Sequence, residues 1–151
     1  MNFNIKKASA KSDEITTLTN ELHKELEIIY GGGIIEEFIE ENETMLVFYL
    51  AYDRDENAVA CGALKDFDIN TAEIKRMYVK PEFRGLGISK KILSALEQHA
   101  RESHYQRLIL ETGLKQPEAI SLYEKYGYKP LKCYGRHAND SDSRCFEKFI
   151  Y

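Results

Sequence analysis

Long apolar runs are absent from this sequence. The longest, from Met45 to Tyr52, has the length of a strand and falls far short of the roughly 20 residues that a membrane-spanning helix needs. Residues 1–10 contain no long apolar stretch after their lysines, so we expect no secretory signal. Membrane association is therefore not expected, and the cytoplasm is the expected location.

An excess of basic residues is also missing. The formal net charge is -4 and the isoelectric point is near 5.6, whereas nucleic-acid binding needs a clustered basic surface that neutralises phosphates. Nucleic acid is therefore not an expected partner. What the chain does have is 43% apolar residues over 151 positions, which is enough for one hydrophobic core. Residues 1–151 are predicted to form a single domain.

The cysteine and histidine patterns that bind metals are absent too. The cysteines at 61, 133 and 145 form no CxxC pair, and their odd number suits a reducing compartment. We expect Cys61, Cys133 and Cys145 to be free thiols that are buried or half-buried. The histidines have no spacing to Cys, His or Asp that suggests a metal site. His23 is expected at the surface and His99 on the flank of a helix.

Hydrophobic periodicity predicts elements in the order β-α-α-β-β-β-α-β-α-β-β. Ser12 is placed to cap the first helix, whose apolar stripe runs from Ile15 to Ile29 at steps of three and four. The predicted strands begin near Phe3 and then cover Met45–Tyr52, Ala58–Phe67, Ala72–Val79, Gln106–Thr112, Tyr128–Tyr134 and Arg144–Ile150. The later helices are predicted around Ile34–Ile39, over Leu86–Ser103 and from Gln116 to Gly127.

This order predicts an α/β fold of the α+β type: a central mixed sheet with helices on both faces. A strand, a helix and a further strand follow one another from Ala72 to Thr112, an arrangement typical of a parallel strand pair joined by a crossover helix. We therefore expect Ala72–Val79 and Gln106–Thr112 to run parallel and to splay apart at their C-terminal ends.

The turn at Arg84-Gly85-Leu86-Gly87 joins a strand directly to a helix. Such a turn presents unpaired backbone N–H groups and the positive end of the helix dipole, which together favour phosphate binding. Gly85 and Gly87 let the backbone approach an anion closely, and Arg84 can add charge-assisted hydrogen bonds. The GxxxxGK[ST] motif is absent, and Lys90 stands where a dinucleotide fingerprint needs its third glycine. A different phosphorylated ligand is expected, although a short RGxG match alone also suits a simple tight turn.

From Ala58 to about Tyr128 the chain resembles the GCN5-related N-acetyltransferase (GNAT) superfamily, in its bacterial single-domain form. The acetyl-CoA loop of that family, Q/R-x-x-G-x-G/A, is similar to residues 82–87, where Glu82 departs from the usual Gln or Arg. The family pattern N-x-x-A-x-x-[LF]-Y-x-x-x-G-[FY] is similar to residues 116–128, with Gln116 in place of Asn. The two motifs in this order are more specific than either one alone.

The resemblance implies an N-acetyltransferase that moves acetyl from acetyl-CoA to a primary amine of a small molecule or peptide, by direct attack and without a metal. Its implied acetyl-CoA-binding residues are Met77, Tyr78, Val79, Arg84, Gly85, Leu86, Gly87, Ile88, Ser89, Gln116, Ala119 and Tyr123. The main-chain N–H of Met77 or Val79 would bind the acetyl carbonyl and the pantetheine amides.

The implied catalytic residues are Tyr123 and Glu73. Tyr123 matches the tyrosine that protonates the CoA sulfur in the family, although it also lies on the apolar face of its helix. Glu73 is the candidate base, acting through water; its alternative interpretation is a solvated or ion-paired strand residue. Glu111, at the end of the next strand, is the second candidate base.

The acceptor site is expected between Tyr30–Phe38 and Tyr134–Arg144. An acidic run from Glu36 to Glu43 would attract a cationic amine, or it forms the solvated face of a helix. The sequence leaves open the acceptor, the acyl-chain preference and the oligomeric state, for which a homodimer is possible. Two other functions stay open: a non-catalytic CoA-binding regulatory domain of the same fold, and an interaction domain that binds no CoA.

Overall fold

The computed structural model describes residues 2–31 and 41–151. The strands of the described chain are β1 (Asn4–Ala8), β2 (Val47–Tyr52), β3 (Ala58–Asp68), β4 (Thr71–Val79), β5 (Arg107–Gly113), β6 (Lys129–Leu131) and β7 (Ser143–Phe149). Its α-helices are α1 (Asp13–Tyr30), α2 (Ile88–Glu102) and α3 (Pro117–Lys125). The short helix predicted around Ile34–Ile39 lies outside the described residues.

The described strands form one mixed sheet in the order β1-β2-β3-β4-β5-β7-β6. Neighbouring strands are antiparallel except for β4 and β5, which run parallel. The pairing of β4 with β5 ends at Glu73 and Ile109, so the two strands diverge beyond these residues. The predicted fold class and the predicted splay are both confirmed.

Helices cover both faces of this sheet. On one face, α1 packs Ile15, Leu18 and Leu22 against β2, β3 and Tyr78 of β4. On the other face, α2 packs its apolar stripe against β3, β4 and β5 in a larger core that also includes Tyr123 of α3. The predicted cap of α1 is present, because the Ser12 hydroxyl accepts a hydrogen bond from the Glu14 amide at 3.2 Å.

A β-bulge interrupts β4 just before its end. Cys61 pairs with Tyr78 and Ala63 with Lys75, so β4 has one residue more than β3 in this interval. Arg76 occupies the bulge with a φ of 61°, a left-handed conformation that is uncommon outside glycine. Its buried guanidinium donates a hydrogen bond to Asn42 Oδ1 at 2.9 Å, which anchors the bulge beside the splay.

The prediction that every cysteine is a free thiol is wrong. Cys133 and Cys145 form a disulfide with a Cα–Cα distance of 5.2 Å, while Cys61 is buried and free. The register of β6 and β7 pairs Leu131 with Cys145, which brings Cys133 within reach of Cys145. Strand register is a tertiary property that cysteine spacing does not reveal.

Two further expectations need correction. His23 is buried rather than at the surface, because it lies one helical turn beyond Thr19 on the buried side of α1; its Nδ1 is 3.4 Å from Glu27. The strand expected over Tyr128–Tyr134 is restricted to Lys129–Leu131. Pro130 lacks an N–H donor, and this edge strand pairs with β7 alone.

Candidate active site at the splay

Two cavities meet where β4 and β5 diverge. The first, which we call the phosphate groove, has a volume of about 570 Å³ and lies between the end of β4, the turn before α2 and the start of α3. The second, the carboxylate cavity, has a volume of about 410 Å³ and lies between β4, β5, α1 and the β6–β7 loop, residues 132–142. The residues that line both cavities are Leu22, Met77, Gln116, Ala119 and Tyr123.

The phosphate groove contains the glycine turn predicted to bind an anion. Gly85 and Gly87 both have a φ of 80°, and a Cβ placed on either would have no heavy atom within 4 Å. Gly87 is the N-cap of α2 and offers no side-chain acceptor, so the first N–H groups of the helix remain available to a ligand. This turn has both the space and the donors for a phosphate.

Arg84 lines the phosphate groove but is paired with a carboxylate of the protein, and Glu82 lies outside the groove. The Arg84 guanidinium pairs with both carboxylate oxygens of Glu25 in α1, each at 2.9 Å, and its Nε donates to the Val79 carbonyl at 2.8 Å. The hydrogen bond to Glu25 is the main cause of the raised pKa of Arg84, against a smaller opposing effect of burial. Glu82 is exposed and does not line the groove, so its negative charge faces solvent.

Most of the residues predicted to bind acetyl-CoA lie together in the phosphate groove. Its lining includes Met77, Tyr78, Val79, Arg84, Gly85, Gly87, Ile88, Ser89, Gln116, Ala119 and Tyr123. Leu86 does not line the groove and is 45% exposed. Lys90 and Lys115 also line the groove, although neither belongs to the two sequence motifs that predicted acetyl-CoA binding. Their ammonium groups lie 5.4 Å and 5.6 Å from the ring centres of Tyr126 and Tyr30.

Gln116 closes the turn between β5 and α3. Its Oε1 accepts hydrogen bonds from the Gly113 amide at 3.1 Å and the Thr112 hydroxyl at 3.4 Å. The Tyr30 hydroxyl, at the end of α1, donates to the same oxygen at 3.5 Å and accepts from the Lys115 amide at 3.1 Å. A Cβ at Gly113 would overlap the Tyr30 ring, so this glycine permits the closure of α1 over the splay.

Tyr123 lies at the junction of the two cavities. Its side chain is 5% exposed and packs against the rings of Tyr128 and Phe146, with centroids 5.6 Å and 6.4 Å away. Within residues 2–31 and 41–151, no group forms a hydrogen bond with its hydroxyl. Burial raises the pKa of Tyr123 above its ordinary value of 10.0. The phenol is therefore protonated at neutral pH and has a proton to donate.

Glu73 lines the carboxylate cavity from β4. Its Oε2 accepts a hydrogen bond from the Tyr134 hydroxyl at 2.9 Å. Burial, followed by the negative charge of Glu73, raises the pKa of Tyr134, so this tyrosine stays a hydrogen-bond donor. Tyr134 belongs to the β6–β7 loop, which was expected at the acceptor site, but its pairing with Glu73 has no signal in the sequence.

Glu111 lines the same cavity from β5. Its Oε2 accepts a hydrogen bond from the Ser143 hydroxyl at 2.8 Å and lies 3.7 Å from His137 Nδ1. The register places Glu73 opposite Ile109, and Glu111 is two residues beyond Ile109 on the same face of the sheet. Both candidate bases therefore face one cavity, and a side chain of the β6–β7 loop contacts each of them.

A cluster of cations forms another wall of the carboxylate cavity. Glu41 binds the Arg76 guanidinium at 2.7 Å and the Lys75 ammonium at 3.4 Å, and it also pairs with Lys65. Burial alone would raise the pKa of Glu41, but these cations outweigh it and lower that pKa to about 2. Lys75 and Arg76 are thus both paired with a protein carboxylate, which they share with Lys65.

Residues 2–31 and 41–151 contain neither a metal-binding cluster nor a helix that could span a membrane. No group of three or more His, Cys, Asp or Glu side chains there is arranged to hold a metal ion. No helix there is both long and apolar enough to cross a bilayer. The cytoplasmic location stays a prediction.

A splayed parallel strand pair beside a glycine turn and a helix N-terminus defines an acyl-CoA N-acyltransferase architecture. The family description "Acetyltransferase (GNAT) family" matches residues 12–128, and the chain belongs to this family. It is 30% identical over 151 residues to the IAA acetyltransferase of Azospirillum brasilense, with 97% of each chain covered.

Solved structures share the same fold. A protein of Klebsiella pneumoniae assigned as an acyl-CoA N-acyltransferase is 27% identical and superposes with a TM-score of 0.83, covering 99% of this chain and 98% of its own. A GNAT family acetyltransferase of Elizabethkingia anophelis, solved with acetyl-CoA bound, has a TM-score of 0.74 at 21% identity, with 99% of each chain covered. Structural neighbours of this chain thus include proteins that hold acetyl-CoA.

Proposed function

We propose that residues 1–151 act as a single N-acetyltransferase domain that transfers acetyl from acetyl-CoA to a primary amine of a small molecule or peptide. The observation that carries this proposal is the meeting of the phosphate groove and the carboxylate cavity at Met77 and Tyr123. One ligand held at the glycine turn and another held near Glu73 would contact each other through the splay. A direct transfer in a ternary complex requires such a contact.

The residues of the phosphate groove fit acetyl-CoA. The amides at the start of α2, beside Gly87, would bind its phosphates, and the unpaired edge of β4 from Ile74 onward would bind its pantetheine arm. Acetyl-CoA supplies a thioester carbonyl as the electrophile. The main-chain N–H of Met77 or Val79 would hold the carbonyl oxygen as negative charge develops on it.

Two side chains would move protons in the transfer. Glu73 would accept the proton that the amine loses as the new C–N bond forms, through a bridging water. Tyr123 would donate its proton to the sulfur as the C–S bond breaks, since burial keeps the phenol protonated.

Direct attack is favoured over a cysteine-linked acyl-enzyme. Cys61 is the free cysteine of this chain; it is fully buried and donates a hydrogen bond to the Arg76 carbonyl at 3.2 Å. Burial raises the pKa of Cys61 to about 12, and the thiolate is the nucleophilic form. Cys61 is therefore a poor acyl acceptor.

The test is a two-substrate kinetic study after an amine has been found by screening amino acids, polyamines, aminoglycosides and peptides for CoA release. We expect an N-acetylated product and initial-velocity lines that intersect. Parallel lines together with a stable acetylated protein would contradict direct transfer. CoA binding with no product from any amine class would favour the regulatory alternative, in which the fold binds CoA without turnover.

A further inference from the structure

Arg136 lies at the carboxylate cavity between two residues whose side chains contact the candidate bases. It lies in the single turn Gly135–His137 of the β6–β7 loop and lines the cavity. On one side, the Tyr134 hydroxyl donates to Glu73 at 2.9 Å; on the other, His137 Nδ1 is 3.7 Å from Glu111. The loop is closed at its base by the disulfide between Cys133 and Cys145. Arg136 is therefore held near both candidate bases.

Arg136 differs from the other two basic side chains in the cavity wall. Lys75 and Arg76 are both paired with Glu41, whereas Arg136 forms no hydrogen bond or ion pair with any residue of the described ranges. Burial is the main cause of the lowered pKa values of Lys75 and Arg76, and the charge of Arg136 lowers both further. Its guanidinium thus adds a positive charge to the cavity wall without an ion-pair partner among the described residues.

The carboxylate cavity is lined by charged groups of both signs. Glu73 and Glu111 would attract the ammonium group of an acceptor amine on its way to the splay. The guanidinium of Arg136 would attract an anionic group on the same molecule, and its planar fork suits a carboxylate. Asp140 and Asp142 also line the cavity, and they would disfavour a doubly charged phosphate more strongly than a carboxylate.

We infer that the acceptor is an amine that also carries a carboxylate, such as an amino acid, and that Arg136 binds that carboxylate. The inference rests on the proposed acetyl transfer and identifies the substrate class of the same site. The cavity volume of about 410 Å³ suits a molecule of this size. Arg136 is then a specificity-determining residue that acts on substrate binding and leaves the transfer chemistry to other groups.

The experiment compares amino acids with the amines that lack only the carboxylate, for example L-phenylalanine with phenethylamine and L-leucine with isoamylamine. For the unaltered protein we expect kcat/KM to be about 10-fold or more higher for the amino acid. In Arg136→Gln this preference should fall by about 10- to 100-fold, mainly through KM, because a charge-assisted hydrogen bond is lost. Arg136→Lys should retain part of the preference, since the charge remains without the fork.

Lys132→Gln is the matched control, because Lys132 is an exposed cation of the same loop that does not line the cavity. Its substrate preference should equal that of the unaltered protein. An unchanged preference in Arg136→Gln, or an equal loss for both members of each pair, would overturn the inference. Aminophosphonates that bind better than the amino acids would also overturn it.

A binding measurement separates this inference from the proposed transfer. Calorimetry of L-phenylalanine and L-leucine with the CoA-saturated protein needs no turnover. Weaker binding to Arg136→Gln supports the carboxylate contact even if no amine is acetylated. The absence of acetylation would then contradict the proposed transfer and leave the carboxylate contact supported. Equal binding to both proteins would overturn the contact even if acetylation of the simple amines is efficient.

Discussion

At the scale of single residues, the contribution of the Tyr123 hydroxyl can be measured separately from that of its ring. Tyr123→Phe keeps the contacts with Tyr128 and Phe146, and no described residue loses a hydrogen bond. We expect the melting temperature to change little, whereas turnover should fall by about one to three orders of magnitude, as is usual when a general acid is lost. Both quantities and acetyl-CoA affinity are measured on one preparation.

Tyr128→Phe is the matched control for Tyr123→Phe. The Tyr128 hydroxyl donates to Glu97 Oε2 at 2.6 Å in a buried position, so its loss should cost about 1.5–3 kcal/mol and lower the melting temperature by several degrees. At a temperature where Tyr128→Phe is folded, its turnover should remain similar to that of the unaltered protein. Normal turnover in Tyr123→Phe would show that the general-acid assignment is wrong. Loss of activity in parallel with folding would make Tyr123 a core residue.

Glu73 is tested by Glu73→Gln, which preserves an acceptor for the Tyr134 hydroxyl and removes the proton-accepting carboxylate. Turnover should fall about 100-fold or more, the usual size of a general-base effect, while acetyl-CoA binding should change little. The acidic limb of the pH–rate profile should flatten. Glu111→Gln is the comparison variant. A normal profile in Glu73→Gln with a flattened one in Glu111→Gln would assign the base to Glu111.

At the scale of structural elements, the turn before α2 should be the acetyl-CoA anchor. Saturation at about 100 times Kd should stabilise the protein by about 2.7 kcal/mol, which is about 5–10 °C for a chain of this size. Gly87→Glu should abolish this rise, because it places an anion beside the helix N-terminus. Thermal unfolding with and without acetyl-CoA measures the effect.

Gly87→Ala controls for backbone strain at the same position. Its φ of 80° disfavours any side chain, but a Cβ there has no heavy atom within 4 Å. Both variants should therefore be less stable without ligand, by about 1–2 kcal/mol, and only the glutamate should remove the response to acetyl-CoA. A full response in folded Gly87→Glu would place the ligand elsewhere.

At the scale of the whole molecule, the disulfide between Cys133 and Cys145 restrains the unfolded chain. The sequence separation is 12, and the entropy of closing such a loop corresponds to about 3 kcal/mol. Reduction by dithiothreitol should therefore lower the melting temperature by about 6–12 °C. The Cys133→Ser variant should show this lower melting temperature whether or not dithiothreitol is present. Detection of three reactive thiols in unfolded, unreduced protein would show that the bond does not form.

From the sequence alone, most helices and strands of the described chain and the glycine turn before α2 could be predicted. Regular spacing in the stripe of α1 and in α2 predicted those helices, because the sheet covers one side of each. The order of elements predicted the parallel pair and its splay, since a crossover helix leaves few arrangements. The glycines at 85 and 87 predicted the turn, because a left-handed backbone conformation depends on the residue itself. Both glycines have a φ of 80°.

The partners of the candidate site residues could be identified only from the tertiary structure. Arg84 pairs with Glu25 of α1, and Tyr134 donates to Glu73, across 59 and 61 positions of sequence. The bulge at Arg76 and the bond between Cys133 and Cys145 depend on strand register, which is set by packing across the whole sheet. Local propensity and periodicity contain no information on such distant contacts, and several of them line the carboxylate cavity.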